Sequence, residues 1–259
     1  TREVLDANPL IKADLSQRYI MTLTYLLRCY IDSQNFTEAQ RLVDDIRALS
    51  GTKGFNNINS EVKILSQSAL LELLMLQRQG DFEKSRLLAE DIREMMAEYQ
   101  DVLSKEQKMS FLYYKAVTDF AIGDYKKALV LVNEVLNDNE QNLRQDIYNF
   151  ARILNLVIHY ELENYDFIEY IIKSLSRYLS KQERKQDMEF LFVRTIRKLA
   201  KNPTQMEKNQ LFESMKKQMK VLLEDKHERV VLEYFDLFSW VESKINRTTY
   251  AEEVRKRLL

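Results

Sequence analysis

Gly123-Asp124-Tyr125-Lys126-Lys127-Ala128 is a short polar break, followed at once by an aromatic residue and, three positions on, by a small one. Three other stretches keep this order: Ser33-Gln34-Asn35-Phe36-Thr37-Glu38-Ala39, Gly80-Asp81-Phe82-Glu83-Lys84-Ser85 and Glu163-Asn164-Tyr165-Asp166-Phe167-Ile168. Each reads as a helix end, an Asn or Asp, an aromatic, and a new helix. From Phe36 through Phe82 and Tyr125 to Tyr165 the steps are 46, 43 and 40 residues, about the length of one helical hairpin. The chain is therefore read as all-α, a helical-repeat solenoid of five to six antiparallel hairpins in a single domain. The first-turn aromatics are expected in the core, so that Tyr125→Ala would cost ~3 kcal/mol or more.

Composition agrees with that reading. Only 4 Gly and 2 Pro occur among 259 residues, far below the roughly 7% and 5% of average usage, and Leu, Glu, Lys, Gln and Arg, all good helix formers, are abundant. Lys plus Arg (39) balances Asp plus Glu (40), which excludes a polybasic arm or an acidic tail as the whole chain's character. Cys29 is the only cysteine, so there is neither a disulfide framework nor a thiolate metal cluster, and a reducing, cytoplasmic setting is expected. Its apolar and aromatic neighbours predict an inert, buried thiol. No apolar run approaches the ~20 residues of a bilayer span. The first residue is Thr1, which leaves room for a preceding leader, anchor or domain.

Apolar periodicity places the helices. Ile20, Leu23, Leu26, Leu27, Tyr30 and Ile31 form one buried stripe, and residues 1–15 read as the remnant of an earlier element. Asn35 with Glu38 has the spacing of a capping box, and 51–59 is a loop rich in glycine and asparagine. Hairpins follow at 60–99, 105–138 and 142–179, the first of them with a helix (Leu70 to Leu76) that is apolar on nearly all sides and hence interior. Ser104 with Gln107, Ser180 with Glu183, Asp225 with Glu228 and Thr249 with Glu252 are further capping-box signatures. Pro203 is assigned to the first turn of a helix running to Glu224. Helices over 226–245 and 250–259 complete and cap the array.

These residues resemble the tetratricopeptide repeat family. The match rests on Gly123-Asp124-Tyr125 and Ala128, with Ala116 seven residues before Gly123, and on Tyr30, Phe36 and Ala39 in the first repeat; it covers about Gln17 to Leu179. The family's repeat is about 34 residues long. The longer spacings here, the missing tryptophan and proline, and Ser85 and Ile168 at the second small position mark a divergent, long-helix relative. The resemblance implies a right-handed α-α superhelix with a groove, lined by first helices, that holds a peptide or a partner's helix. Carried over position by position, its lining would be Thr24, Arg28 and Asp32, then Gln67, Gln77 and Arg78, then Ser110 and Tyr113, then Tyr160 and Glu161. The Lys and Asn pair by which some members clamp a terminal carboxylate is replaced by Thr24 and Arg28, or by Leu70 and Leu74.

Catalytic chemistry finds no local support. The scattered glycines make no phosphate loop, and His159 and His227 have no second ligand at helical spacing, so no metal or cofactor is expected. Asp44-Asp45 and Glu252-Glu253 point to different helix azimuths and cannot act as pairs. One charge feature interrupts the balance: between Lys173 and Lys220 there are 13 Lys or Arg against 5 acids. Arg194, Arg197, Lys198 and Lys201 fall on one helix face there, beside the core stripe Met188, Leu191, Phe192 and Leu199. The functional expectation is a protein- or peptide-binding scaffold without catalysis. The alternative is association with nucleic acid through the basic segment 173–220, with its phosphate-driven affinity.

Overall fold

The computed structural model describes residues 2–140, 143–180 and 187–258, apart from the side chains of 230 and 231. Every regular element among them is helical: α1 (Arg2–Asp6), α2 (Pro9–Asp14), α3 (Ser16–Asp32), α4 (Phe36–Arg47), α5 (Ile58–Arg78), α6 (Phe82–Glu98), α7 (Lys105–Ala121), α8 (Tyr125–Leu136), α9 (Gln145–Glu161), α10 (Tyr165–Leu179), α11 (Asp187–Leu199), α12 (Gln205–Leu222), a 3-10 turn (Glu228–Val230), α13 (Val231–Tyr234), α14 (Leu237–Asn246) and α15 (Tyr250–Lys256). The chain divides into two compact units, Thr1–Tyr114 and Lys115–Leu259, and the division falls within α7.

The first unit is built around α5, which packs on α3, α4 and α6. Its buried Val62, Ile64, Leu70, Leu73, Leu74 and Met75 occupy several azimuths, as a helix enclosed by neighbours requires. The short α1 and α2 are tied to α3 by charge: the Tyr19 hydroxyl donates to Asp6 (2.6 Å), and the Lys12 ammonium donates to Asp6 (3.0 Å) while lying 4.2 Å from the Tyr19 ring. The loop over 51–57 folds back on this corner, with a buried Phe55 set edge-on against Tyr19 at 6.0 Å. Gly54 makes the approach possible. Its φ is +88°, and a Cβ there would stand 2.6 Å from the Ala13 backbone, closer than van der Waals contact permits.

In the second unit consecutive helices pack from α8 through α12, and α14 then lies on α12 with α15 against it. Its centre is the single tryptophan. Trp240 is fully buried, with Tyr160 (5.7 Å), Phe212 (5.6 Å) and Phe192 (5.9 Å) all edge-on to it, the arrangement that ring quadrupoles favour. Its indole N–H donates to Glu161 at 2.5 Å. One residue thus joins α9, α11, α12 and α14.

The four breaks share one geometry. The residues preceding the helix cap, Gln34, Gly80, Gly123 and Glu163, all have positive φ (58°, 69°, 86° and 57°). In each, that residue's amide donates three residues back and the next amide donates five back, for example Gly123 N–H to Phe120 C=O and Asp124 N–H to Asp119 C=O. This is the Schellman closure, which satisfies carbonyls orphaned at a helix end. Its last residue is already the N-cap of the following helix: Asn35, Asp81, Asp124 and Asn164 have φ between −78° and −86° and ψ between 56° and 68°. One helix therefore ends and the next begins within three residues, the short connection typical of antiparallel neighbours.

Several expectations are corrected by this geometry. Among the aromatics only Phe82 is buried, whereas Phe36, Tyr125 and Tyr165 are half-buried; the positions without exposed surface are those three residues further on, Ala39, Ser85, Ala128 and Ile168. Tyr125 lies 5.2 Å from Phe120, and partial burial pushes its phenol up to about 12. The Asn35 amide is committed to Tyr30 C=O, so Glu38 cannot complete a capping box and pairs with Arg41. The boxes at Ser104 with Gln107 and at Thr249 with Glu252 do form.

Asp225 with Glu228 opens no helix; both Glu228 oxygens instead accept the Asp187 and Met188 amides at the start of α11. Pro203 precedes the true cap, Thr204, which forms a box with Glu207. The helix expected over 226–245 breaks at Asp236, which caps α14 and accepts from Arg257 (2.6 Å). Cys29 is exposed, because it falls opposite the stripe of Leu23, Leu27 and Ile31. Glu183, the proposed partner of Ser180, lies outside the described residues.

Two outcomes follow for stability in urea, read by Trp240 fluorescence. A Cβ at Gly123 meets nothing within 4 Å, so Gly123→Ala tests dihedral strain alone and should cost ~1 kcal/mol, whereas Glu163→Gly should stabilise by ~0.5 kcal/mol. Changes of the same sign would contradict the shared turn. Tyr125→Ala should cost ~1–2 kcal/mol, below the value for an enclosed ring; a loss above ~3 kcal/mol would mean that the ring is enclosed.

Candidate functional site

In the first unit, the structure gathers three of the expected groove residues into one charge network. The Arg28 guanidinium donates to both Asp32 oxygens (3.0 and 3.1 Å), and Arg78 reaches the same carboxylate at 3.8 Å. Thr24 is half-buried and donates to Met21 C=O (2.9 Å); Gln67 is half-buried on α5. Gln77, Ser110 and Tyr113 do not reach an exposed face. Gln77 donates to Tyr114 C=O (2.6 Å), Ser110 donates to Glu106 C=O (2.7 Å), and Tyr113 has no exposed surface. The apolar neighbours on their helices draw these positions inward.

Tyr160 and Glu161, in the second unit, are parts of the Trp240 centre. Burial pushes the Tyr160 phenol well above its ordinary range. Glu161 accepts from Trp240 and is paired with Lys244 (2.5 Å), which supplies the charge partner that an enclosed carboxylate needs. His159 is half-buried against Phe167 and within 3.2 Å of the Asn164 amide. Burial lowers its pKa, and it acts as a brace for the fourth turn.

Part of the basic segment, on α11 and α12, lines a groove in the second unit. Helices α10, α11 and α12 enclose an open groove of about 810 Å³. Spacing on α11 sets its first wall: Phe190, Arg194 and Arg197 stand at i, i+4 and i+7, one face of a helix. On α12, Lys217, Gln218, Val221 and Leu222 form the opposite wall, and Leu191 and Val193 continue the floor. Phe190 is 40% exposed and Val221 66%, large apolar surfaces for residues inside a concavity. The Arg194 guanidinium donates to Gln218 (2.8 Å), a neutral acceptor. Among the described residues neither Arg197 nor Lys217 has an ion-pair partner, whereas the adjacent Lys216 is paired with Glu242 at 3.0 Å. Among the described residues Asp187, at the start of α11, is the only carboxylate in the lining.

The expected patch is thus divided. Arg194 and Arg197 line the groove, while Lys198 and Lys201 are exposed and outside its lining. Lys201 also lies beyond the end of α11. Sequence reading counted Lys217 in the basic segment without placing it opposite Arg197, because the pairing of α11 with α12 decides that. Phe190 falls off the stripe of Met188, Leu191 and Phe192, and Val221 off that of Phe212, Met215 and Met219, so helical spacing places both outward; only the pairing of α11 with α12 sets them in one groove.

The inward face of α11 carries Glu189, which is 4% exposed. Burial first, and the nearby Glu228 carboxylate second, push its carboxyl up to about 8 from 4.5. Glu228 is held there because it caps α11. Among the described residues no group of three or more His, Cys, Asp or Glu is arranged to hold a metal ion, and no helix is long and apolar enough to cross a membrane. Comparison with family models, curated proteins and solved structures finds no match.

The raised carboxyl of Glu189 predicts a pH-dependent stability for the second unit. Its folded pKa exceeds the unfolded value, so between about 4.5 and about 8 the folded state holds a proton that the unfolded state has lost; stability present at low pH is lost as pH rises through that window. Glu189→Gln should flatten this slope and gain most, relative to wild type, above pH about 8. Urea titrations at stepped pH would check it; parallel profiles would contradict the assignment.

Proposed function

We propose that the chain is a protein- or peptide-binding module, built of tetratricopeptide-like hairpins stacked in the right-handed sense, and that it catalyses nothing itself. The four equivalent turns support the repeat reading. The observation that carries the binding reading is the α10–α12 groove, where exposed Phe190 and Val221 stand beside Arg197 and Lys217, which have no ion-pair partner among the described residues. Its volume of about 810 Å³ falls in the range of ligand sites, roughly 300–1,000 Å³. Apolar surface in a concavity, rimmed by charge, is also the anatomy of interfaces that seat a partner's side chains. Association with nucleic acid is the weaker reading, because a phosphate backbone is held by a continuous charged track, and here the floor is apolar while Lys198 and Lys201 stand outside it.

The test is selection of a displayed random-peptide library on the intact chain, followed by affinity measurement on Phe190→Ser/Val221→Glu. Both positions are exposed, so Trp240-monitored melting should be unchanged. Selected peptides should lose at least roughly tenfold in affinity, as expected when apolar anchors lose their seat. Peptides that bind wild type and variant equally would sink the reading.

A further inference from the structure

We propose that the occupant of the α10–α12 groove is an acidic amphipathic helix, an apolar stripe with carboxylates along both of its edges. The inference rests on the peptide-binding reading above and assigns the chemistry of the partner. Its argument is charge complementarity across a concave floor. Arg194 and Arg197 stand with Phe190 on the α11 wall, and Lys217 stands with Val221 on the α12 wall. An occupant that fills the floor therefore brings both its edges against cations. An extended strand sends alternate side chains to opposite faces and would meet the two walls poorly. A helix presents apolar residues at i, i+3, i+4 and i+7 with flanking positions on both sides.

Internal pairing makes the case specific. Lys216 and Lys244, nearby in the same unit, are paired with Glu242 and Glu161. Among the described residues Arg197 and Lys217 have no ion-pair partner, and Arg194 meets only the Gln218 amide. A groove of about 810 Å³ takes on the order of two turns of a helix about 10 Å across. Asp187 stands at the start of α11 and repels acid there, so the occupant's carboxylates concentrate toward Arg197. Concavity also separates this partner from a lipid surface, which needs apolar residues that protrude.

Three synthetic peptides of about 15 residues, a length at which helices become marginally stable, test it by fluorescence anisotropy on the intact chain. All carry the same leucine stripe, flanked by Glu, Gln or Lys. The Glu peptide should bind roughly tenfold tighter than the Gln peptide, the sum of a few partly screened ion pairs. The preference should shrink between about 0.05 and 0.5 M salt as the screening length falls. In Arg197→Glu/Lys217→Glu, two exposed positions, it should invert toward the Lys peptide, with melting unchanged.

Equal binding of the Glu and Gln peptides, both weakened by Phe190→Ser/Val221→Glu, overturns this inference and leaves the peptide-binding reading standing. Peptide binding that ignores the floor substitutions overturns both. Tighter binding of oligouridylate RNA or phosphatidylserine vesicles through Arg197 and Lys217 overturns the proposal in favour of a phosphate-bearing partner. A dimer seen by sedimentation and dissolved by Val221→Glu assigns the groove to a second copy and likewise overturns it.

Discussion

A helix that hands over to its antiparallel neighbour within three residues needs one residue in the left-handed region, because only that conformation turns the next amides back onto the orphaned carbonyls. Gln34, Gly80, Gly123 and Glu163 meet this condition, and the hairpins depend on it. Glycine adopts the conformation freely, whereas Gln34 and Glu163 carry a strain of about 1 kcal/mol or more. The closing residue doubles as the next N-cap, so its backbone amide is already occupied. That is why Asn35 cannot form the reciprocal box that its spacing with Glu38 suggests.

Side-chain size then decides how closely paired helices approach. The aromatics that mark the repeats in sequence are mostly half-buried, and the enclosed positions are Ala39, Ser85, Ala128 and Ile168. In the second unit Trp240 plays the complementary part of a large central residue. By packing on Phe192 and Phe212 it fixes where α11 and α12 stand, and their outer faces then define the groove. The Glu228 cap on α11 and the Lys216 pair with Glu242 hold the same helices by charge.

Residues chosen by repeat register scattered once the helices were placed. Arg28, Asp32 and Arg78 came together, since one carboxylate can serve two guanidiniums. Gln77, Ser110 and Tyr113 went inward, and Tyr160 and Glu161 joined the tryptophan centre. The basic segment was visible as a charge excess. Its division into Arg194 and Arg197 within the groove and Lys198 and Lys201 outside it follows from about 100° of rotation per residue, combined with a packing angle that no local pattern contains.

Local terms wrote most of the helices into the chain. Apolar periodicity, cap residues and scarce glycine and proline placed α3 to α10 within a few residues of their observed ends, since these signals act over one or two turns. Four breaks were legible for the same reason. Tertiary structure alone decided the interruption at Asp236, the transfer of Glu228 from its own turn to the start of α11, and the pairing of α11 with α12 that sets Phe190 and Arg197 in one groove with Val221 and Lys217. Each depends on residues distant in sequence, brought together by packing, and periodicity along one helix is blind to what stands across from it.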